Sequence, residues 1–244
     1  MAICKTEAIV IRTFDFRETS IIAEFFTRDF GRLKGILKGI RKDRKKFAST
    51  LEPFSLNEII FYQSRNSELH LVSGCDLEDG FLNVRSDLKK IHLASFLMEL
   101  VSALFAPEDK NEEAFEVILS SLEDLSSVND PEKIISIAQI KLLRLSGFKP
   151  HFDSCVLCNN DISGEAKFSS KFGGLLCPKC AYRDSQIHPV LRGTIASIKH
   201  IERSGWSDTL RLNLAHPIKA ELKNMLDKFL MFHLEKRLKT ARFL

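Results

Sequence analysis

A mixed α+β fold, in which a small β-barrel leads into a helical part with a sulfur-bearing insert, is what this sequence predicts. Three observations point there. The first eighty residues are rich in β-branched and aromatic runs, the hydrophobic period turns helical near residue 84, and four cysteines pair up between 155 and 180.

The barrel comes first. Glu7-Ala8-Ile9-Val10-Ile11-Arg12 and Ser20-Ile21-Ile22-Ala23-Glu24-Phe25-Phe26 read as strands. Gly31 to Gly39 alternates apolar positions with basic residues or glycine, and Ser55 to Tyr62 and Glu68 to Val72 complete a set of five. Five strands in so short a stretch, with glycines where a barrel bends, predict an OB-fold β-barrel, with an SH3-like barrel as the alternative from pattern alone.

Helices follow. Leu93, Leu97, Leu100, Val101 and Leu104 form one apolar stripe, and Ala114, Val117, Ile118, Ser121, Leu122 and Leu125 form another. Asp130-Pro131-Glu132 is a helix start, with Asp as cap and Pro at the first helical position. That helix should stop at Gly147, with Pro150 beyond. Gly193 to Ser204 and Pro217 to about Thr240 also read as helical, the latter with Ile218, Leu222, Met225, Leu226, Phe229 and Phe232 on one face. These stripes are helix-bundle core.

Between the helices, Cys155, Cys158, Cys177 and Cys180 read C-x2-C, eighteen residues, C-x2-C. A two-residue gap lets both thiolates of a tight turn point at one ion, and two such turns complete a tetrahedral S4 shell. The expected cofactor is one structural Zn2+ per chain in a zinc ribbon-like module, whose strands are Ala166–Ser169 and Gly173–Leu176. Core thiols or two disulfides are the alternatives. The opening residues Met1 to Glu7 lack a basic stretch followed by an apolar core, so a cytoplasmic chain with reduced thiols is expected, which favours metal. A deaminase-type catalytic zinc needs a ligand-x-Glu ahead of Pro-Cys-x-x-Cys, but His200/Glu202 and His233/Glu235 follow the cysteines. Cys4 and Cys75 sit singly and read as packing thiols. His151 and His188 flank the cysteines without the partners of an acid–base pair.

Composition is that of a soluble globular protein, 44% hydrophobic and 28% charged. The longest nearly apolar run, Leu93 to Ala106, contains Glu99 and is too short to span a bilayer. Net charge is only +4, but it is segregated. Residues 1–50 carry 12 Lys/Arg against 6 Asp/Glu, residues 51–130 carry 5 against 16, and residues 131–244 carry 19 against 10. Such segregation predicts a polyanion-facing surface built from both ends of the chain.

Its centre is the stretch Arg32 to Lys46, with eight basic residues and one acid. Arg32, Lys34, Lys38, Arg41, Lys42, Arg44, Lys45 and Lys46 are the expected phosphate contacts, extended by Lys236, Arg237, Lys239 and Arg242 at the far end. A solvated lysine-rich loop, or one that meets acidic protein, is the alternative. Phe14, Phe16, Phe30 and Phe47 are candidates for base stacking, with barrel core the competing role for each. No Gly-x4-Gly-Lys-Ser/Thr loop occurs, so ATP hydrolysis is not expected, and the chain reads as no enzyme.

The residues also resemble the RecO recombination-mediator family of bacterial DNA repair, over essentially the whole chain. The resemblance lies in Phe26-Thr27-Arg28-Asp29-Phe30-Gly31-Arg32, Lys38-Gly39-Ile40-Arg41 and Leu51-Glu52-Pro53-Phe54. It continues in Lys141 to Pro150, which leads straight into the cysteines, and closes at Leu234 to Leu244. One departure is the lysine-rich loop after Arg41, where Ala48-Ser49-Thr50 stands in place of expected glycines.

The resemblance implies an N-terminal OB fold, a helical domain and an embedded zinc module. It implies binding of single- and double-stranded DNA, annealing of complementary strands, and work with RecR to load recombinase onto DNA coated by single-stranded DNA-binding protein. The expected division is 1–80 for the DNA-binding barrel, 81–150 for the first helical part, 151–190 for the Cys4 module and 191–244 for the remaining helices. A second reading is an adaptor whose basic surfaces grip acidic protein tails, such as the C-terminal tail of single-stranded DNA-binding protein. For that tail, a groove among the apolar helices rimmed by Lys141, Arg144 or Lys149 is the candidate, with helix core and solvated charge as the competing and favoured roles. A zinc hydrolase is disfavoured, because the metal's shell would be full.

Overall fold

The computed structural model describes residues 2–40, 51–127, 130–162, 164–235 and 237–243. The chain divides into two compact units, Met1–Pro131 and Glu132–Arg242, with Phe243–Leu244 assigned to the first.

The first unit holds a closed five-stranded barrel in the order β1-β2-β3-β5-β4. Its strands are β1 (Ile3–Phe16), β2 (Ser20–Thr27), β3 (Gly31–Leu37), β4 (Leu56–Tyr62) and β5 (Leu69–Asp79). All neighbours are antiparallel except β3 and β5, which pair in parallel. That order with one parallel pair is the OB arrangement. β1 runs for 14 residues because it serves two neighbours: Ile3 to Ile9 pair with β4, and Ala8 to Phe16 pair with β2. A register shift between Val10 and Arg12 bends it from one to the other.

Inward residues at strand period make the barrel core, among them Ala8, Val10, Ala23, Phe25, Leu33, Leu37, Ile59, Phe61 and Val72. Gly31 sits at φ +64, and a Cβ there would lie 2.2 Å from the Asp109 carbonyl oxygen, so only glycine fits this turn.

Among the described residues, three helices complete the unit: α1 (Leu82–Arg85), α2 (Leu88–Leu104) and α3 (Glu112–Ser127). Asp87 caps α2, its carboxylate accepting from the backbone N–H groups of Lys89 and Lys90. Asn111 Oδ1 accepts from Ala114 N at 2.9 Å at the start of α3. The helices cover part of the barrel's outer wall. Phe26 of β2 meets Phe105 and Phe115 at ring separations of 5.4 and 6.5 Å. Arg28 is ion-paired with Glu7 and Glu116, and its guanidinium lies 4.6 Å over the Phe115 ring.

Under this cover lies a carboxylate 1% exposed. Glu24 accepts from Arg12 Nε at 2.6 Å, from Arg32 Nη1 at 2.6 Å and from Ser102 Oγ at 3.3 Å. Burial pushes its pKa up, but donation from Arg12 and Arg32 prevails and holds it below the ordinary glutamate range. The folded value therefore lies under the unfolded one. The group's stabilising contribution is complete above the unfolded pKa and disappears as pH falls through the folded value. Glu24→Ala strands Arg32 unpaired, and urea unfolding at neutral pH should show a loss of about 3–5 kcal/mol that shrinks in acid.

The second unit contains α4 (Pro131–Leu145), a small sheet of β6 (Ala166–Ser169), β7 (Gly174–Leu176) and β8 (His188–Val190), then α5 (Arg192–Arg203), α6 (Trp206–Leu210) and α7 (His216–His233). The α4 start at Pro131 matches expectation, and Gly147, at φ +81, stands just past its end. The last helix departs from expectation. It ends at His233 rather than near Thr240, because Glu235 takes φ 53 and turns the chain away, leaving a separate 3₁₀ turn at Thr240–Phe243. Among the described residues no helix is long and apolar enough to cross a membrane.

Candidate metal centre and basic surface

The four cysteines sit on two tight turns held against β7. In the first, Asn159 N–H donates to Cys155 O at 2.8 Å and Cys155 N–H to Asn160 O at 3.0 Å, with Asn159 itself at φ 57. Asn tolerates that left-handed conformation better than most residues. In the second, the N–H groups of Cys180 and Ala181 both donate to Cys177 O at 3.0 Å. Val156 N–H donates to Leu175 O at 2.8 Å, which ties the first turn to β7. Gly174 completes the junction: a Cβ there would lie 2.6 Å from the His151 carbonyl oxygen.

These turns bring all four Sγ atoms within 4.8 Å of one another. Cys158 and Cys177 sulfurs are 3.8 Å apart. A tetrahedral S4 site with Zn–S near ~2.3 Å has sulfur–sulfur edges of roughly 3.8 Å, so donor set and spacing both fit zinc. Leu176 and half-buried Val156, Leu157, Ile162, Phe172 and Ile187 pack around the sulfurs.

The sulfurs perturb each other strongly. Burial pushes the Cys155 thiol up, but hydrogen bonds from the backbone at Cys177, Cys158 and Leu157 prevail and bring it down to about 6. Cys180 is pushed up to about 12, by burial first and then by the Cys177, Cys158 and Cys155 sulfurs. Four sulfurs crowd one point there, and a bound dication would favour the thiolate form of each. The group can hold a metal, and four protein ligands leave it no open position.

The neighbouring polar groups brace the ribbon. Asp184 accepts from Ser169 Oγ at 2.5 Å and from Gln186 N at 2.9 Å. Donation from Ser169 holds its carboxyl below the usual range. His151 Nε2 is 2.9 Å from Ser154 Oγ, beside the first turn, and His188 Nε2 is 2.7 Å from Lys228 Nζ. Rings link the ribbon to α7: Phe152 to Phe168 at 5.6 Å, Phe168 to Phe229 at 6.1 Å and Phe229 to His233 at 4.2 Å.

The basic residues named from sequence fall into different settings. Lys34 is exposed on β3, 3.5 Å from Glu68 Oε2, and Lys38 is exposed in the turn that follows. Arg32 faces inward beneath the helices, paired with Glu24. Arg237, Lys239 and Arg242 are exposed. Arg41, Lys42, Arg44, Lys45, Lys46, Phe47 and Lys236 lie outside the described residues.

The expected tail groove does not form around its named cations. Lys141 is only 4% exposed and donates to Ser204 O at 2.7 Å. Its position on α4 faces another part of the unit, so it rims no surface groove. Arg144 is half-buried, and Lys149 pairs with Glu202 at 3.0 Å. Of the candidate stacking rings, Phe30 packs edge-on against Phe61 at 5.3 Å, Phe16 is half-buried and Phe14 is exposed. Sequence reasoning did not assign a role to Arg12 or Arg17, which lie over the Phe14 and Phe16 rings, or to Glu24, which anchors Arg12. The one available signal was the strand-period alternation of Arg12, Phe14 and Phe16.

Comparison with known proteins gives two family-model matches. One, described as Recombination protein O N terminal, covers residues 1–81, and the other, described as Recombination protein O C terminal, covers residues 85–242. A curated relative, DNA repair protein RecO of Desulforamulus reducens, is 29% identical over 245 residues, spanning 100% of this chain and 94% of that protein. The proteins of the same name from Dehalococcoides mccartyi and Desulfatibacillum aliphaticivorans are each 30% identical over 98% of this chain, and over 94% and 95% of their own lengths.

Proposed function

This chain belongs to the RecO family, and we propose that it is a DNA-binding recombination mediator of DNA repair. In this reading it binds single and double strands, anneals complementary strands, and with RecR helps to load recombinase onto DNA coated by single-stranded DNA-binding protein. It performs no bond chemistry. Neutralising two phosphate backbones lowers their repulsion and lets base pairing proceed.

The observation that carries the reading is the charge along β3 and the chain after it. Eight basic residues against one acid run from Arg32 to Lys46, and Lys34 and Lys38 project into solvent from a small barrel. Arg237, Lys239 and Arg242 give the far end of the chain a second cationic surface. The four segments expected from the sequence serve as barrel, helical scaffold, zinc module and closing helices of a cytoplasmic protein. One zinc per chain would be held by Cys155, Cys158, Cys177 and Cys180, and it would supply cohesion rather than reactivity.

Fluorescence anisotropy with labelled single and double strands across a salt series tests the reading. Log affinity should fall linearly with log salt, by about 0.7 per neutralised phosphate for single strands. Absence of binding in dilute buffer would overturn it.

A further inference from the structure

The outer wall of β1, β2 and β3 carries exposed aromatic surface as well as charge. Arg12, Phe14 and Phe16 follow one another at strand period on the same side of β1. Phe14 is 46% exposed, whereas every other phenylalanine of the barrel strands is buried or half-buried. Across the sheet, Phe14 faces Ile22, and Ile22 faces Ile36, which makes a half-buried apolar strip. The adjacent rung is charged: Arg12 faces Glu24, and Glu24 faces Lys34.

Arg12 is held in place. Its guanidinium lies 5.0 Å from the Phe14 ring centroid, while its Nε donates to the buried Glu24 carboxylate at 2.6 Å. Glu24 is itself fixed by Arg32 and Ser102, so the anchor does not wander. Arg12's side chain nevertheless remains 54% exposed. A ring and a planar cation, both open to solvent and the cation anchored over the ring, need little ordering before a flat partner stacks on them. At the hairpin end Arg17 repeats the pairing, 5.2 Å over Phe16.

We propose that Phe14 and Arg12, with Arg12 positioned by Glu24, form a stacking platform for an unpaired base, whose flanking phosphates meet Lys34 and Arg17. The inference rests on the DNA-binding reading and deepens it by naming what discriminates single strands from duplex. Paired bases keep their faces inside the helical stack, so only an unpaired strand offers one to the platform.

The test uses the full chain and three probes at one salt concentration: oligothymidylate, an abasic strand of equal length, and a duplex. Phe14→Leu keeps an apolar side chain but loses the ring, and should weaken oligothymidylate binding about tenfold while leaving the abasic strand and duplex unchanged. Arg12→Lys keeps the charge and loses the plane. It should lower the preference for oligothymidylate over the abasic strand without altering the salt slope. Glu24→Gln should lower the same preference by releasing Arg12. Equal losses on all three probes, or no loss on any, would overturn the platform and leave DNA binding standing. Failure of the unmodified chain to bind any probe would remove both.

Discussion

Cys155→Ser combined with Cys177→Ser is expected to abolish metal binding, with elemental analysis falling from one zinc per chain to none. The loss should be large, because structural zinc contributes apparent free energies on the order of 10–16 kcal/mol in small sulfur-ligated sites, and that energy is folding energy. The braces and ring contacts around the ribbon hold its sheet, but the two cysteine turns converge only on the metal position. That sheet is three short strands, and two of the four sulfurs are themselves part of the apolar cluster. Hydrogen exchange should therefore show protection lost across 151–190, while the amides of β1 to β5 keep theirs. A double variant that still held one zinc would show that other residues bind it.

Replacing Arg41, Lys42, Arg44, Lys45 and Lys46 together by alanine should give the second large effect. If each contacts one phosphate, the slope of log affinity against log salt flattens by roughly 3 to 4 units for single strands. Affinity at low salt then falls by orders of magnitude, while the thermal transition is expected to stay where it was. An unchanged slope would exclude these residues from the DNA site and shift attention to Lys34, Lys38 and the C-terminal cations.

Elements whose burial follows a simple period were legible in the sequence. The five barrel strands, the ribbon strand Ala166–Ser169 and the start of α4 at Pro131 lie where alternation and capping put them. β5 outruns its expected end at Val72 because Gly74, Asp76 and Asp79 do not look strand-like. They pair with β4 across two register shifts, and pairing overrides composition there. β8 was missed since His188-Pro189-Val190 is three residues with a proline, tolerable only at a sheet edge. The end of α7 is set by Glu235 in a conformation that glycine usually signals, so no residue type announced it.

The site divides in the same way. Sulfur spacing is local, and it named the four metal-binding candidates without help. The Arg12–Glu24–Arg32 cluster depends on which rungs of three strands face each other, and a one-residue slip would dissolve it. Lys141 shows the converse error. A lysine among apolar helix residues was named for a groove rim, but its side chain is buried and its ammonium finds a backbone carbonyl.

The turn at Gly31 has a further implication for dissection of the molecule. Glu108 N–H donates to Arg32 O at 2.9 Å, the Asp109 backbone occupies the space a side chain at Gly31 would need, and Phe26 is roofed by Phe105 and Phe115. The seam between the two family matches, at residues 81–85, thus lies inside one compact unit, Met1–Pro131. A barrel severed there would leave Phe26 bare and Glu24 without its serine, so the N-terminal match taken alone would lose part of its packing.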